Sequence, residues 1–148
     1  MNPDPRTKLN ELFDLIRRYR IKYLTEDQMQ RQVESIIAGA GLPCCREMIL
    51  EGGGRLDLGV AYPVVLNEDR EVWKNWKEKV DFGLPFVIAV ECKVKGSLYD
   101  LLRQCSGYIQ HPDVQAVLVV TSRQAHREMP TELHGKPVAV VWVGANVL

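Results

Sequence analysis

Nowhere in the 148-residue sequence is there a run of the roughly 18 apolar residues that a membrane-spanning helix needs, so no membrane span is expected. An excess of charge of either sign is equally missing: 19 Lys and Arg offset 19 Asp and Glu, and no global basic field announces nucleic acid. That balance leaves room for a local basic patch, because binding depends on where the charges lie. The four cysteines (Cys44, Cys45, Cys92 and Cys105) include no CxxC pair. This argues against a zinc or iron–sulfur site and for reduced core thiols. The start, Met1 to Arg6, is polar and lacks the pattern of a signal peptide, so a cytoplasmic protein is expected. Internal repeats and low-complexity tracts are lacking too, which excludes a solenoid. What remains is ordinary: 46% apolar and 26% charged residues, in a length suited to one domain spanning residues 1–148.

Helical spacing comes first. Leu9, Leu12, Phe13, Leu15 and Ile16 recur as on one helix face, with Thr7 as the expected cap. The helix runs out into Arg17, Arg18, Tyr19, Arg20, Ile21, Lys22 and Tyr23. This basic stretch reads first as a solvated helix end and second as a phosphate-contacting patch with stacking aromatics. A second helix opens at Thr25, where Thr25 and Gln28 fit a capping box, and buries Met29, Val33, Ile36, Ile37 and Ala40. Gly39 and Gly41 end it. Glu34 stands at the border of that stripe, one turn before Ile37.

Two strands follow. In Pro43–Glu51, Cys45, Glu47 and Ile49 alternate with Cys44, Met48 and Leu50, and Gly52-Gly53-Gly54 turns the chain into Arg55–Val60 as a hairpin. The triplet is no phosphate loop, since the GxxxxGK[ST] pattern is absent and no helix follows. Leu56, Leu58 and Val60 should share one face and Arg55, Asp57 and Gly59 the other. Asp57 is then an acid in mid-strand, with room beside it at Gly59. Residues from about 62 to 83 look like a polar insertion with a short helix, whose Trp73 and Trp76 share a face. Those rings should pack the insertion onto the body; base stacking or a dimer contact is the sharper alternative.

Leu84 to Val90 is almost wholly apolar, as in a strand buried on both faces, and runs straight into Glu91-Cys92-Lys93. A helix from Ser97 buries Leu98, Leu101, Leu102, Cys105 and Ile109, and places Gln104 and Tyr108 on one face. Gln115–Thr121 is a second buried strand, Ser122–Leu133 a short helix, and Pro137–Val143 the last strand. A crossover helix between two apolar strands implies a parallel pair, and the first hairpin an antiparallel one. The expected fold is α/β, a mixed sheet flanked by helices.

Glu91 and Lys93 lie two apart, hence on one side of their strand, and charges are rarely fully buried unless paired or bound to a metal. Metal-assisted phosphodiester cleavage gives such a pair a purpose. A hard cation needs one or two carboxylates plus waters and substrate phosphate, and lowers the pKa of the attacking water. A lysine beside it can orient or deprotonate that water. Asp57, Glu91, Lys93 and Glu34 would meet those needs. The plainer alternative is that Glu91 and Lys93 simply pair with each other.

Asp57, then Glu91-Cys92-Lys93 at the end of an apolar strand, resembles the D…(D/E)xK motif of the PD-(D/E)XK nuclease superfamily. Gln104-Cys105-Ser106-Gly107-Tyr108 resembles the QxxxY motif of its RecB-like branch, and Glu34 stands where many members carry a helix glutamate. The likeness runs from about Glu26 to Thr121 and is closest to compact phage and bacterial members. Leu56 stands where the motif has proline, and the insertion widens the spacing from Asp57 to Glu91. The resemblance implies a restriction-endonuclease-like core. It also implies a Mg²⁺- or Mn²⁺-dependent deoxyribonuclease working in DNA repair, recombination or phage DNA processing. By the same token Asp57, Glu91, the Cys92 backbone carbonyl and Glu34 would hold metal, and Lys93 would serve the water. Gln104 and Tyr108 would steady the metal site or the DNA strand. Arg55, Lys95 and Arg103 become candidate phosphate contacts, with Arg17, Arg18, Arg20 and Lys22 more remote. DNA is the implied partner. A homodimer follows from the habit of small members, with the last strand and the tryptophan insertion as candidate interfaces. The alternative is a nucleic-acid-binding or assembly module that keeps the fold without turnover.

Overall fold

Asp4, not Thr7, begins the first helix: its carboxylate accepts from the Thr7 backbone N–H at 3.1 Å and from the Thr7 hydroxyl at 2.8 Å. The protein is described by a computed structural model over residues 4–50, 54–62 and 86–144. Helix α1 (Pro5–Arg17) buries Leu9, Leu12 and Ile16. Helix α2 (Glu26–Gly39) is capped by Thr25, whose hydroxyl accepts from Gln28 N–H at 3.2 Å, and buries Met29, Val33 and Ile37. The reciprocal half of the expected capping box is displaced by one residue, because the Gln28 side chain accepts from Leu24 N–H. Ala40, expected in the buried stripe, lies exposed at the helix C-cap.

Strands β1 (Cys44–Ile49) and β2 (Arg55–Tyr62) form the expected antiparallel hairpin. Strand β3 (Phe86–Lys93) pairs antiparallel with β2 and parallel with β4 (Val114–Thr121), and helix α3 (Leu98–Ile109) makes the crossover between β3 and β4. The residues expected to form a helix from Ser122 to Leu133 make only a 3₁₀ turn at Gln124–Glu128, then the two-residue strand β5 (Glu132–Leu133). Pro130 ends that turn because it has no N–H to continue it. Strand β6 (Lys136–Trp142) runs parallel to β4. The sheet is therefore mixed, in the order β1-β2-β3-β4-β6-β5. Strand β5 covers β6 only at Lys136 and Pro137. Apart from Tyr62, which ends β2, the expected insertion with Trp73 and Trp76 lies outside the described residues.

Two apolar layers hold the sheet. On one face α1 and α2 pack against Leu58, Val60, Ile88, Val90, Cys92, Leu118 and Val120. On the other, Leu101, Cys105 and Ile109 of α3 pack against Val87, Ala89, Val117 and Val119. Ser97 caps α3 through its hydroxyl, which accepts from Asp100 N–H at 3.1 Å. Each fully buried Leu, Ile or Val contributes about 1.5–3 kcal/mol, so the two layers dominate stability.

The hairpin departs from simple alternation. Cys44 and Arg46 face α2, where the Arg46 guanidinium bonds Asp27 at 2.8 Å and Gln30 at 3.1 Å. Two residues on, Met48 joins the α3 layer instead, as do Leu50 and Leu56. Leu58 and Val60 lie in the α1–α2 layer, so Leu56 does not share their face as expected. The switch comes at Glu47, whose φ of 52° is left-handed and costs on the order of 1–2 kcal/mol in a non-glycine residue. The register places Glu47 opposite Asp57, so the acid of β2 stands where the ribbon turns over. Gly59 is not open space: a Cβ there would lie 2.5 Å from the Met48 sulfur, which crosses the strand at that point.

Lys136 clamps the far end of α3. Its ammonium donates to the carbonyls of Ile109 at 2.8 Å, Val114 at 2.8 Å and His111 at 3.3 Å. The Ile109 and His111 carbonyls lie where α3 ends and the Val114 carbonyl where β4 begins, and a cation there also suits the helix dipole. Lys136→Met keeps the aliphatic stem and removes all three donors, so the unfolding free energy in urea should fall by about 2–3 kcal/mol. A change under about 0.5 kcal/mol would make the ammonium a bystander.

Candidate active site

Acid and base meet at the carboxyl end of β3. Asp57 reaches across from β2, and its Oδ2 accepts from Cys92 N–H at 3.0 Å. Glu91 points toward α3 as Val87 and Ala89 do, is only 1% exposed, and has Lys93 Nζ 3.3 Å from its Oε1. By strict geometry that contact is an ion pair and neither Glu91 oxygen accepts a hydrogen bond, although Lys93 and Asp57 both stand close enough to act on the carboxyl. Cys92 faces the α1–α2 layer and is fully buried. Burial pushes its thiol well above the ordinary range, which leaves it unsuited to nucleophilic attack.

The electrostatics follow from this crowding. Burial, reinforced by the Asp57 charge and opposed by Lys93, pushes the Glu91 carboxyl up to about 8. Asp57 is also raised, by burial first, although the Cys92 N–H and Lys93 hold it back. For Lys93, burial pulls the ammonium down, but Glu91, Glu26 and Asp57 together outweigh it and the net shift is upward. The three acids gathered around the ammonium thus keep it charged, which suits orienting the water better than deprotonating it.

Glu26, rather than Glu34, is the α2 acid whose charge reaches the Asp57–Lys93 group. Its Oε1 accepts from Val94 N–H at 3.1 Å, and its charge bears on Asp57, Cys92 and Lys93. Glu34 lies eight residues further along the helix, about 12 Å by the axial rise, and its charge acts on Arg31 and Cys44. An acid in the first turn of a helix usually serves the dipole in solvent, so periodicity gave Glu26 no distinction.

The strand end is pinned from several sides. Ser122 N–H donates to Lys93 O at 3.0 Å, and Ser122 Oγ to Val94 O at 3.4 Å. His126, fully buried, donates from Nε2 to Gly96 O at 2.9 Å and accepts at Nδ1 from the Thr121 hydroxyl at 2.7 Å. Gly96 needs this anchor because its φ of 101° is open only to glycine without strain. Nothing in the sequence pattern marks His126 or Thr121.

On the α3 side, Gln104 Nε2 donates to Tyr108 Oη at 2.8 Å, the pair expected to share a face. Burial and the Glu91 charge raise the Tyr108 phenol, so it stays protonated and can donate. Both residues line a cleft of about 710 Å³ between α3 and the hairpin residues Leu50 and Gly54.

The basic candidates are dispersed. Lys95 is exposed just beyond β3. Arg103 is exposed at the cleft and lies 3.8 Å from Asp100, and Arg55 lies 3.8 Å from Glu47. Arg17 belongs to the other layer: it pairs with Asp14 at 3.2 Å and shares a shallow depression with Arg127 and Trp142. Arg18, Arg20 and Lys22 are exposed beyond α1. Among the described residues no cluster of three or more His, Cys, Asp and Glu side chains converges to hold a metal ion. A cation here would rest on the Asp57–Glu91 pair, with backbone, water or substrate oxygen completing its shell. The Glu91 oxygens, which take no hydrogen bond, and the oxygen-only donor set fit Mg²⁺ or Mn²⁺, which commonly take one or two carboxylates. Comparison with protein-family models, curated proteins and solved structures gives no match.

Proposed function

We propose that the chain is a Mg²⁺- or Mn²⁺-dependent deoxyribonuclease with a restriction-endonuclease-like core of the PD-(D/E)XK type. One observation carries the reading: a nearly inaccessible glutamate with no hydrogen bond to its oxygens, grouped with Asp57 and Lys93 at a strand end. A buried acid whose oxygens take no hydrogen bond is costly, the Lys93 ammonium at 3.3 Å offsets part of that cost, and a cation would offset more. In open sheets with parallel strands, sites gather at the carboxyl ends of those strands, as here.

Asp57 and Glu91 would hold the cation, with the Cys92 carbonyl beside them. When bound, Mg²⁺ or Mn²⁺ supplies a Lewis acid that activates water and neutralises phosphate charge. Lys93, charged and tethered to Glu91, orients the attacking water and balances the phosphate oxygens. Glu26 holds the backbone at Val94, and with it the direction of the lysine strand. Tyr108, steadied by Gln104 and kept protonated by burial and the Glu91 charge, offers a hydroxyl donor at the cleft.

The test is a panel of plasmid, linear duplex, single-stranded, flap and four-way-junction DNA incubated with Mg²⁺, Mn²⁺ or EDTA, for the wild type and Lys93→Ala. Metal-dependent cutting by the wild type alone is expected. DNA binding with no cutting under any metal would replace the enzyme by a binding module that keeps the fold.

A further inference from the structure

Resting on that nuclease reading, we infer that the cleft between α3 and the β1–β2 hairpin receives an unpaired nucleobase of the DNA strand being cut. At about 710 Å³ the cleft falls in the range of small-molecule sites. Its charges cancel, since Arg103 and Asp100 both line it and lie 3.8 Å apart, so it is not built for phosphate. The charged groups suited to phosphate, Lys93 and Lys95, are at the end of β3 instead.

What the cleft does offer suits a base. Leu50 and Pro112 give it apolar walls, and Gln104 and Gln110 bring amides that can read a base edge. The Gln104 amide nitrogen is committed to Tyr108, and its Oε1 takes no hydrogen bond from the described residues. Gly107, on the lining turn of α3, leaves open space where a side chain would stand, with nothing within 4 Å of a Cβ. Tyr108 links the cleft to the carboxylates, since it lines the cleft and its phenol feels the Glu91 charge. A base enters such a recess only when its pairing edge is free, so the strand must be single or locally opened.

The experiment measures fluorescence anisotropy of a labelled oligothymidine, an abasic strand of equal length and a duplex, all in EDTA. Wild-type protein should bind oligothymidine at least about tenfold more tightly than either competitor. Gly107→Trp, which fills the recess from a position with room for it, should bring oligothymidine down to the abasic level with an unchanged melting temperature. Equal binding of thymidine and abasic strands by the wild type, a test that needs no variant, overturns the inference. So does duplex binding as tight as single-strand binding, or a folded Gly107→Trp protein that binds like the wild type. Cleavage is scored separately. Metal-dependent cutting with base-independent binding removes only the cleft, whereas base-dependent binding without cutting removes the nuclease.

Discussion

Lys93→Ala should slow metal-dependent DNA cleavage by about 10²–10⁴-fold, the range typical of losing a group that positions or transfers a proton. Single-turnover cleavage of a labelled oligonucleotide at saturating Mg²⁺ measures it without interference from product release. The lysine acts as a cation in the structure, held charged by Glu91, Glu26 and Asp57 against the pull of burial. A role built on charge predicts that Lys93→Arg keeps part of the activity lost in Lys93→Ala, since guanidinium is always protonated. Wild-type cleavage in Lys93→Ala would sink the assignment altogether.

The second large effect is on stability. Folded Glu91 holds its proton up to about pH 8, whereas an ordinary glutamate releases it near 4.5. Between those values the folded chain carries more protons than the unfolded one, so stability falls as pH rises through the window and levels off above it. Below about pH 4.5 both states are protonated, and the preference of the fold for neutral Glu91 is fully present. The loss amounts to a few kcal/mol. Asp57, also raised, acts in the same direction. Urea unfolding from pH 5 to 9 in EDTA should therefore show a declining wild-type profile and a flatter one for Glu91→Gln, which is neutral throughout. Parallel profiles for the two proteins would remove Glu91 as the cause. Mg²⁺ should recover stability of the wild type at pH 8, and do so far less for Glu91→Gln, because a ligand stabilises only the state that binds it.

Much of this architecture was readable from residue order. The apolar run into Glu91-Cys92-Lys93 and the periodicity from Leu98 to Ile109 identify β3, α3 and their parallel crossover, and the spacing of Gln104 and Tyr108 puts on one face the two side chains that bond there. The departures that bear on the site share a physical origin, since each depends on contacts between elements. Alternation assumes a flat ribbon and cannot see the left-handed Glu47 that sends Met48 and Leu56 to the α3 layer. A helical stripe ranks residues by their own helix's buried face. Glu26 reaches the site from the helix end, through Val94 N–H, where a stripe gives it no more weight than Glu34. The direction of the Lys93 shift depends on three acids brought in from separate elements, which no local spacing encodes.

The position of β3 also divides the site by rigidity. Strand β3 is laddered to β2 on one side and β4 on the other, and Phe86 to Cys92 are all buried. Amide hydrogens locked in such a strand exchange with solvent only when the whole domain opens. Glu26 belongs instead to the first turn of α2, the part of a helix that frays first. Glu91 and Lys93 thus ride on the part of the protein that opens last. The third acid can leave Val94 and return many times within the life of one folded molecule.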